Sequence, residues 1–438
     1  MKNVIENLLD EFYDYRLPSL TRRSIPFPML PRKATVIVGM RRTGKTWFCY
    51  QKIQDLLAGG MNLNRILYVN FDDDRLLGFT VKDFQSLLDV YYARFPDNKG
   101  DLCYFFFDEI QTIDHWEQFI RRLIDRENIQ VTLTGSSSKL LGVEIATSLR
   151  GRTYECEMFP MSFGEYLAAR GLFKKMPTRF PPSTQAKLRY AIKDYFTAGG
   201  FPETIHLGAF ERHRLLRDYI DSVLFRDVIE RYKIKNTTVL RRLIGEILRS
   251  PGQKFSVNKF YNTINSQGIA CDKTSLYTYL DHLTDAFLFY RVELHHKSER
   301  VRRVNPPKIY TVDPGILYTA ITGSEDNNGP VFENIVFNAL RRYAKNVEYV
   351  RTQNGREVDF LVTDYQNHSQ LVQASWSLAN PSTREREIDS LIIAGEEMDI
   401  QDRVVVTWDE EKEMANGIRV LPVWKFLLET EKSAWRFL

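Results

Sequence analysis

Gly39-Met40-Arg41-Arg42-Thr43-Gly44-Lys45-Thr46 is the run of this 438-residue chain best equipped to do chemistry. It reads GxxxxGK(S/T), the spacing at which a glycine loop closes its backbone N–H groups around phosphate oxygens. In that reading Lys45 reaches the β- and γ-phosphates of ATP, and the Thr46 hydroxyl meets Mg²⁺. Gly39, Met40, Thr43, Gly44 and the following Trp47 complete the nucleotide-contacting set. Arg41 and Arg42 either touch phosphate or pack outward. A second chemical pair, Asp108-Glu109, ends the apolar run that begins at Leu102. Here Asp108 would hold Mg²⁺ through water and Glu109 would polarise an attacking water. Such a pair favours hydrolysis over transfer to another substrate. The plain alternative is a core strand that happens to end in an acidic turn.

These residues need elements to place them. Ala34–Val38 is an apolar, β-branched run of strand type, and Trp47 to Leu57 reads as a helix ending at Gly59-Gly60. Strand, glycine loop and helix in that order put phosphate at a helix N-terminus, where the partial positive charge is favourable. Arg65 to Phe71 reads as another core strand, followed by Asp72-Asp73-Asp74, which either help position Mg²⁺ or form a solvated turn. A fourth strand, Gln130 to Thr134, runs into Gly135-Ser136-Ser137-Ser138. Strands apolar at every position suit a parallel sheet covered on both faces, with ligands at the carboxyl ends.

Composition agrees with a globular nucleotide-binding protein. The apolar fraction is 43% and the net charge +4, too small a charge to require a nucleic-acid partner by itself. The length leaves room for roughly three domains. No segment resembles a signal peptide and no apolar run reaches membrane-spanning length, so no membrane partner is expected. Cys49, Cys103, Cys156 and Cys271 lack metal-ligand spacing, and reduced thiols in a cytoplasmic protein are the simple expectation.

Taken together, the motifs resemble those of prokaryotic AAA-type ATP-binding proteins that carry a C-terminal domain of unknown function with a nuclease-like core. The resemblance rests on GMRRTGKT at 39–46, ILYVNFDDDRL at 66–76, FFFDEIQ at 105–111, LTGSSSKLL at 133–141 and LRGRTYECEMFPMSFGEYL at 149–167. It continues through GGFPE at 199–203, YTVDPGIL at 310–317, FENIVFNAL at 332–340 and REVDFLV at 356–362. It implies a polar residue after the fourth strand that senses the γ-phosphate, for which Ser136 and Ser137 are candidates; an N-cap for the next helix is the alternative. Arg150 and Arg152 flank Gly151. Each is either an arginine that neutralises transition-state charge, in cis or in trans, or a structural ion-pair partner. An arginine supplied in trans would imply a homo-oligomer.

Beyond the ATPase region, Lys174 to Thr184 reads as a linker or exposed loop, and Leu188 to Ile234 as helical with a break at Gly199-Gly200. Residues 253 to 295 suggest a winged helix: a helix from Phe255, a second from Lys273 to Ala286, and a strand at Phe287 to Val292. A basic stretch follows, with His295, His296, Lys297, Arg300, Arg302, Arg303 and Lys308. DNA is its candidate partner, with protein-only packing as the alternative.

In the last region, a helix from Phe332 to Tyr343 carries Glu333. Strands Val347 to Arg351, Arg356 to Val362 and Gln370 to Ser375 follow, and the second carries Asp359. This order resembles the restriction-endonuclease-like fold, in which a helix Glu, a strand Asp and a Glu-x-Lys on the next strand hold Mg²⁺. Glu333 and Asp359 match. The third position is Gln373-Ala374-Ser375, so a carboxylate and a lysine are missing. Glu357 shares the Asp359 strand face and could compensate.

The expectation is an α/β multidomain protein. A P-loop parallel sheet occupies 1–170, a helical and winged-helix segment 171–300, and a catalytically degenerate restriction-endonuclease-like domain 301–438. ATP hydrolysis would switch the C-terminal domains. The alternatives are a non-hydrolysing ATP-sensing scaffold for DNA or protein, and a metal-dependent nuclease.

Overall fold

The computed structural model describes residues 1–136, 149–173, 177, 179–321 and 328–435. By internal contacts the chain divides into two compact units, Met1–Phe159 with Asp285–Phe287, and Pro160–Thr284 with Leu288–Leu438.

The first unit is built on a five-stranded sheet, β1 (Ala34–Val38), β2 (Ile66–Asn70), β3 (Cys103–Asp108), β4 (Ile129–Gly135) and β5 (Thr153–Glu157). The spatial order is β2-β3-β4-β1-β5, and every neighbouring pair is parallel. β1 and β4 are buried at every position, which explains their unbroken runs of apolar and small polar residues. Helices α1 (Lys2–Asp14), α2 (Lys45–Ala58), α3 (Phe84–Arg94) and α4 (Trp116–Arg126) pack around the sheet. Both α2 and α4 turn their apolar residues to it, Phe48 and Ile53 from the first and Trp116, Phe119, Ile120 and Leu123 from the second. Because β4 is inserted between β1 and β3, its carboxyl end lies between the glycine loop and the Asp108-Glu109 pair.

The second unit opens with a helical region: α5 (Phe163–Ala169), α6 (Pro182–Ala198), α7 (Ala209–Ser222), α8 (Thr237–Arg249), α9 (Val257–Ser266) and α10 (Lys273–Asp285). A short antiparallel pair follows, β6 (Phe289–Val292) with β7 (Lys308–Thr311), separated by helix α11 (Glu299–Val304). Then come α12 (Pro314–Ile321) and α13 (Gly329–Tyr343), and after them a six-stranded mixed sheet. Its strands are β8 (Asn346–Arg351), β9 (Glu357–Thr363), β10 (Ser369–Ala374), β11 (Arg403–Thr407), β12 (Lys412–Glu413) and β13 (Arg419–Pro422), in the spatial order β12-β13-β11-β10-β9-β8. β8, β9 and β10 form an antiparallel meander. β10 and β11 are parallel, so the chain must cross over between them, and α14 (Pro381–Met398) is that crossover. A closing helix, α15 (Val423–Trp435), packs against α13.

Among the described residues, no helix is long and apolar enough to cross a membrane.

Candidate nucleotide site and a second carboxylate cluster

The loop between β1 and α2 is held in a shape that only its own residues permit. Gly39 and Gly44 have φ of 147° and 98°, and Arg42 is also left-handed at 69°. A Cβ on Gly39 would lie 2.2 Å from the carbonyl oxygen of Met158, so glycine is required by contact as well as by conformation. Arg23, buried in the extended segment before β1, braces the loop. Its guanidinium donates to the Thr43 carbonyl at 2.8 Å and to the Phe159 carbonyl at 2.7 Å. Its backbone exchanges hydrogen bonds with the Gln51 amide at 2.7 and 3.0 Å.

Lys45 is buried, and its ammonium donates to the carbonyls of Gly39 at 3.0 Å and Met40 at 3.2 Å. The Thr46 hydroxyl lies 2.6 Å from Asp108 Oδ2, which also accepts from Tyr68 at 2.9 Å. Asp108 Oδ1 accepts from the Thr134 hydroxyl, and that same hydroxyl accepts from the Glu109 backbone N–H at 3.0 Å. Burial, and then the neighbouring Glu109 charge, push the Asp108 carboxyl above its ordinary pKa. Glu109 itself is left-handed at φ 51°, with its carboxylate 4.0 Å from Lys45 and accepting from Gln111. The structure thus brings Lys45, Thr46, Asp108 and Glu109 together at the carboxyl edge of the sheet. Arg41 is half-buried, while Arg42 and Trp47 are exposed.

Thr134 is the residue that the sequence reading missed. Attention to the serines after β4 passed over the last polar side chain inside the strand. Ser136 is buried just beyond it, and Ser137 lies outside the described residues. A threonine facing an Asp-Glu pair across adjacent parallel strands was the available signal, but it needed the strand order β3-β4 to be known. Of the two readings of Arg152, the structure shows the ion pair. Arg152 pairs with Asp125 at 2.9 Å, immediately before β5, where Thr153 is in register with Ala34. That is the opposite edge of the sheet from Gly39, a strand length of ~16 Å away. Arg150 is exposed two residues earlier. Of the three acidic residues after β2, Asp73 accepts from the Arg75 backbone and guanidinium, and Arg75 in turn pairs with Glu11, as in a solvated turn.

Comparison with known proteins agrees with this geometry. Residues 31–167 match the family described as AAA domain. Residues 189–327 and 328–426 match two domains of unknown function, DUF8612 and DUF4143. An uncharacterized protein of Methanocaldococcus jannaschii is 31% identical over 437 residues, covering 97% of this chain and 94% of its own. The chain belongs to that protein's family. An uncharacterized protein of Haemophilus influenzae is 30% identical over 74% of this chain and 78% of its own. Among solved structures, Cdc6p of Pyrobaculum aerophilum aligns over 66% of this chain and 86% of its own, at 14% identity and a TM-score of 0.26. A likeness that low says nothing of fold or function. The AAA domain implies nucleotide binding, typically with Mg²⁺.

The C-terminal domain of this family member carries a second cluster. Glu333 from α13 and Glu357 and Asp359 from β9 converge, as the sequence suggested, but on a lysine from outside the mixed sheet. Lys308 Nζ, at the start of β7, lies 2.9 Å from Asp359, 3.0 Å from Glu357 and 3.4 Å from Glu333. This corrects the reading of Lys308 as part of a phosphate-holding basic stretch, because only 4% of it is exposed. His295 is likewise engaged, 2.9 Å from Glu348. Gln373 is engaged elsewhere than with Lys308: its amide oxygen accepts from the Asp359 N–H at 3.1 Å, and its amide nitrogen donates to Glu387 at 2.6 Å.

Proposed function

We propose that this protein binds and hydrolyses ATP at the P-loop, and that its nucleotide state switches the C-terminal domains. The observation that carries the reading is the Thr46 hydroxyl 2.6 Å from Asp108, with Glu109 next in sequence and 4.0 Å from Lys45. The donor set suits Mg²⁺, which prefers hard oxygens and binds through one or two carboxylates plus phosphate. A buried carboxylate whose pKa is pushed up is also one that a cation would relieve. When bound, the ion neutralises charge on the β- and γ-phosphates. The chain's own residues supply the rest. The glycine loop offers backbone N–H groups to phosphate, and Lys45 exchanges its carbonyl partners for phosphate oxygens. Glu109 accepts a hydrogen bond from the attacking water and orients it. Thr134 fixes Asp108 and the Glu109 backbone relative to each other.

DNA is the proposed partner of the α9, α10 and β6–β7 region, read as a winged helix, with Lys297 and Arg300 exposed on its basic connection and Arg303 paired with Glu299. The order α13, β8, β9, β10, α14, β11 supports reading the last domain as restriction-endonuclease-like. A non-hydrolysing scaffold is the competing reading.

Nucleotide binding is tested by titrating a fluorescent ATP analogue into wild type and Lys45→Ala, with Mg²⁺ present. Loss of charge-assisted phosphate contacts is expected to weaken binding by about 10- to 100-fold. Equal affinity in both would overturn the assignment of the site.

A further inference from the structure

We propose that the Lys308 ammonium is a built-in counter-ion that occupies the place of a divalent cation in the C-terminal domain, making the carboxylate cluster a structural lock without a metal-dependent nuclease site. The geometry is that of a filled site. Three carboxylates surround Lys308 Nζ at 2.9, 3.0 and 3.4 Å. Lys254 takes the other oxygen of Glu357 at 2.5 Å, so two ammonium groups face the three acidic side chains. Two further donors reach the cluster. Asp359 Oδ2 accepts from the Ala374 N–H at 3.1 Å, and Glu333 accepts from the Tyr310 hydroxyl at 2.5 Å.

A loop also packs against the cluster. A Cβ on Gly252 would come within 3.0 Å of Glu333, so the loop before Lys254 lies against that carboxylate. The third-strand position that would complete a metal site is Gln373, already committed to Asp359 N–H and Glu387. Among the described residues, no group of three His, Cys, Asp or Glu side chains is disposed to hold a metal ion.

Burial works against the charge on Lys308, yet Asp359 and the groups beside it hold its pKa well above the ordinary value. A buried charge is tolerated when it is paired and fully hydrogen-bonded, and removing one partner is costly. The lock also has a mechanical consequence. It ties β7, which belongs to the two-stranded β6–β7 sheet, to β9 of the mixed sheet and to α13. The inference rests on side-chain geometry and holds whether or not the domain descends from a nuclease.

The test has two arms on the full-length protein. Free Mn²⁺ is followed by electron paramagnetic resonance during titration of wild type and Asp359→Asn, and thermal unfolding of both is recorded without metal. The lock requires superimposable Mn²⁺ isotherms and an Asp359→Asn melting temperature lowered by roughly 5 °C or more. A metal site would behave oppositely. Wild type would bind one more Mn²⁺, and neutralising a carboxylate would raise the metal-free melting temperature. Either result overturns the proposal. Lys308→Met supplies a third reading if it folds: a new Mn²⁺ site is expected, abolished in Lys308→Met/Asp359→Asn, and a folded Lys308→Met that gains none contradicts the lock.

Discussion

Thr134 shows how much one hydroxyl can carry. It donates to Asp108 and accepts from the Glu109 N–H, so a single side chain sets the two carboxylates against each other. Thr134→Val keeps the shape and removes both hydrogen bonds, leaving a backbone N–H unpaired at a cost of about 1–3 kcal/mol. Turnover of ATP is therefore expected to fall about 10- to 100-fold, with the dissociation constant for nucleotide changed much less. Separate measurement of kcat and of nucleotide affinity checks this; equal losses in both would mean that Thr134 supports the loop and not the carboxylates. Gly39→Ala addresses the opposite side of the site. Its Cβ would collide with the Met158 carbonyl at 2.2 Å, so nucleotide binding should fail even in protein that stays folded by circular dichroism.

At the scale of elements, the tie between α15 and α5 should be sensitive to pH. Glu431 accepts from the Gly164 N–H at 2.9 Å, and burial pushes its pKa up to about 7, aided by the nearby Glu165 charge and opposed by Arg342. The native state thus holds this proton more tightly than the unfolded chain does. Its contribution to stability is greatest below about pH 4.3, declines as pH rises towards 7, and is level above that. Glu431→Gln should remove that decline. Its stability relative to wild type should grow by on the order of 3 kcal/mol between pH 4.5 and 7.5, read by denaturant unfolding at several pH values. A difference that does not vary with pH would mean that Glu431 stays ionised in the native state.

The parallel core was legible because each of its strands is a short, nearly unbroken apolar run next to a motif with strict spacing. The observed β1, β3 and α2 differ from the sequence reading only at their ends. Strand order was not legible, and with it went Thr134, whose role depends on β4 lying beside β3. Lys308 was hidden for a related reason. It sits in a basic stretch of sequence, but three carboxylates reach it from α13 and β9, and local charge says nothing about partners 25 to 51 residues away. The two readings of Arg152 stayed open in the sequence for the same reason, since its partner Asp125 lies at the end of α4.

For the molecule as a whole, the arginine question becomes one of assembly. With Arg152 bound to Asp125 at the far edge of the sheet, any arginine completing the phosphate site comes from elsewhere in the chain or from a second copy. If a second copy supplies it, specific activity should fall on dilution; activity constant over a 100-fold dilution would exclude that arrangement. The central claim, hydrolysis of ATP at the Thr46, Asp108 and Glu109 site, is tested most directly by phosphate release from Mg·ATP. Wild type and Glu109→Gln are compared at equal nucleotide saturation. The account requires steady turnover by wild type and a loss of at least ~100-fold in Glu109→Gln, with ATP still bound. Wild type that binds Mg·ATP and releases no phosphate above background, or a Glu109→Gln variant that turns over as wild type does, would contradict it.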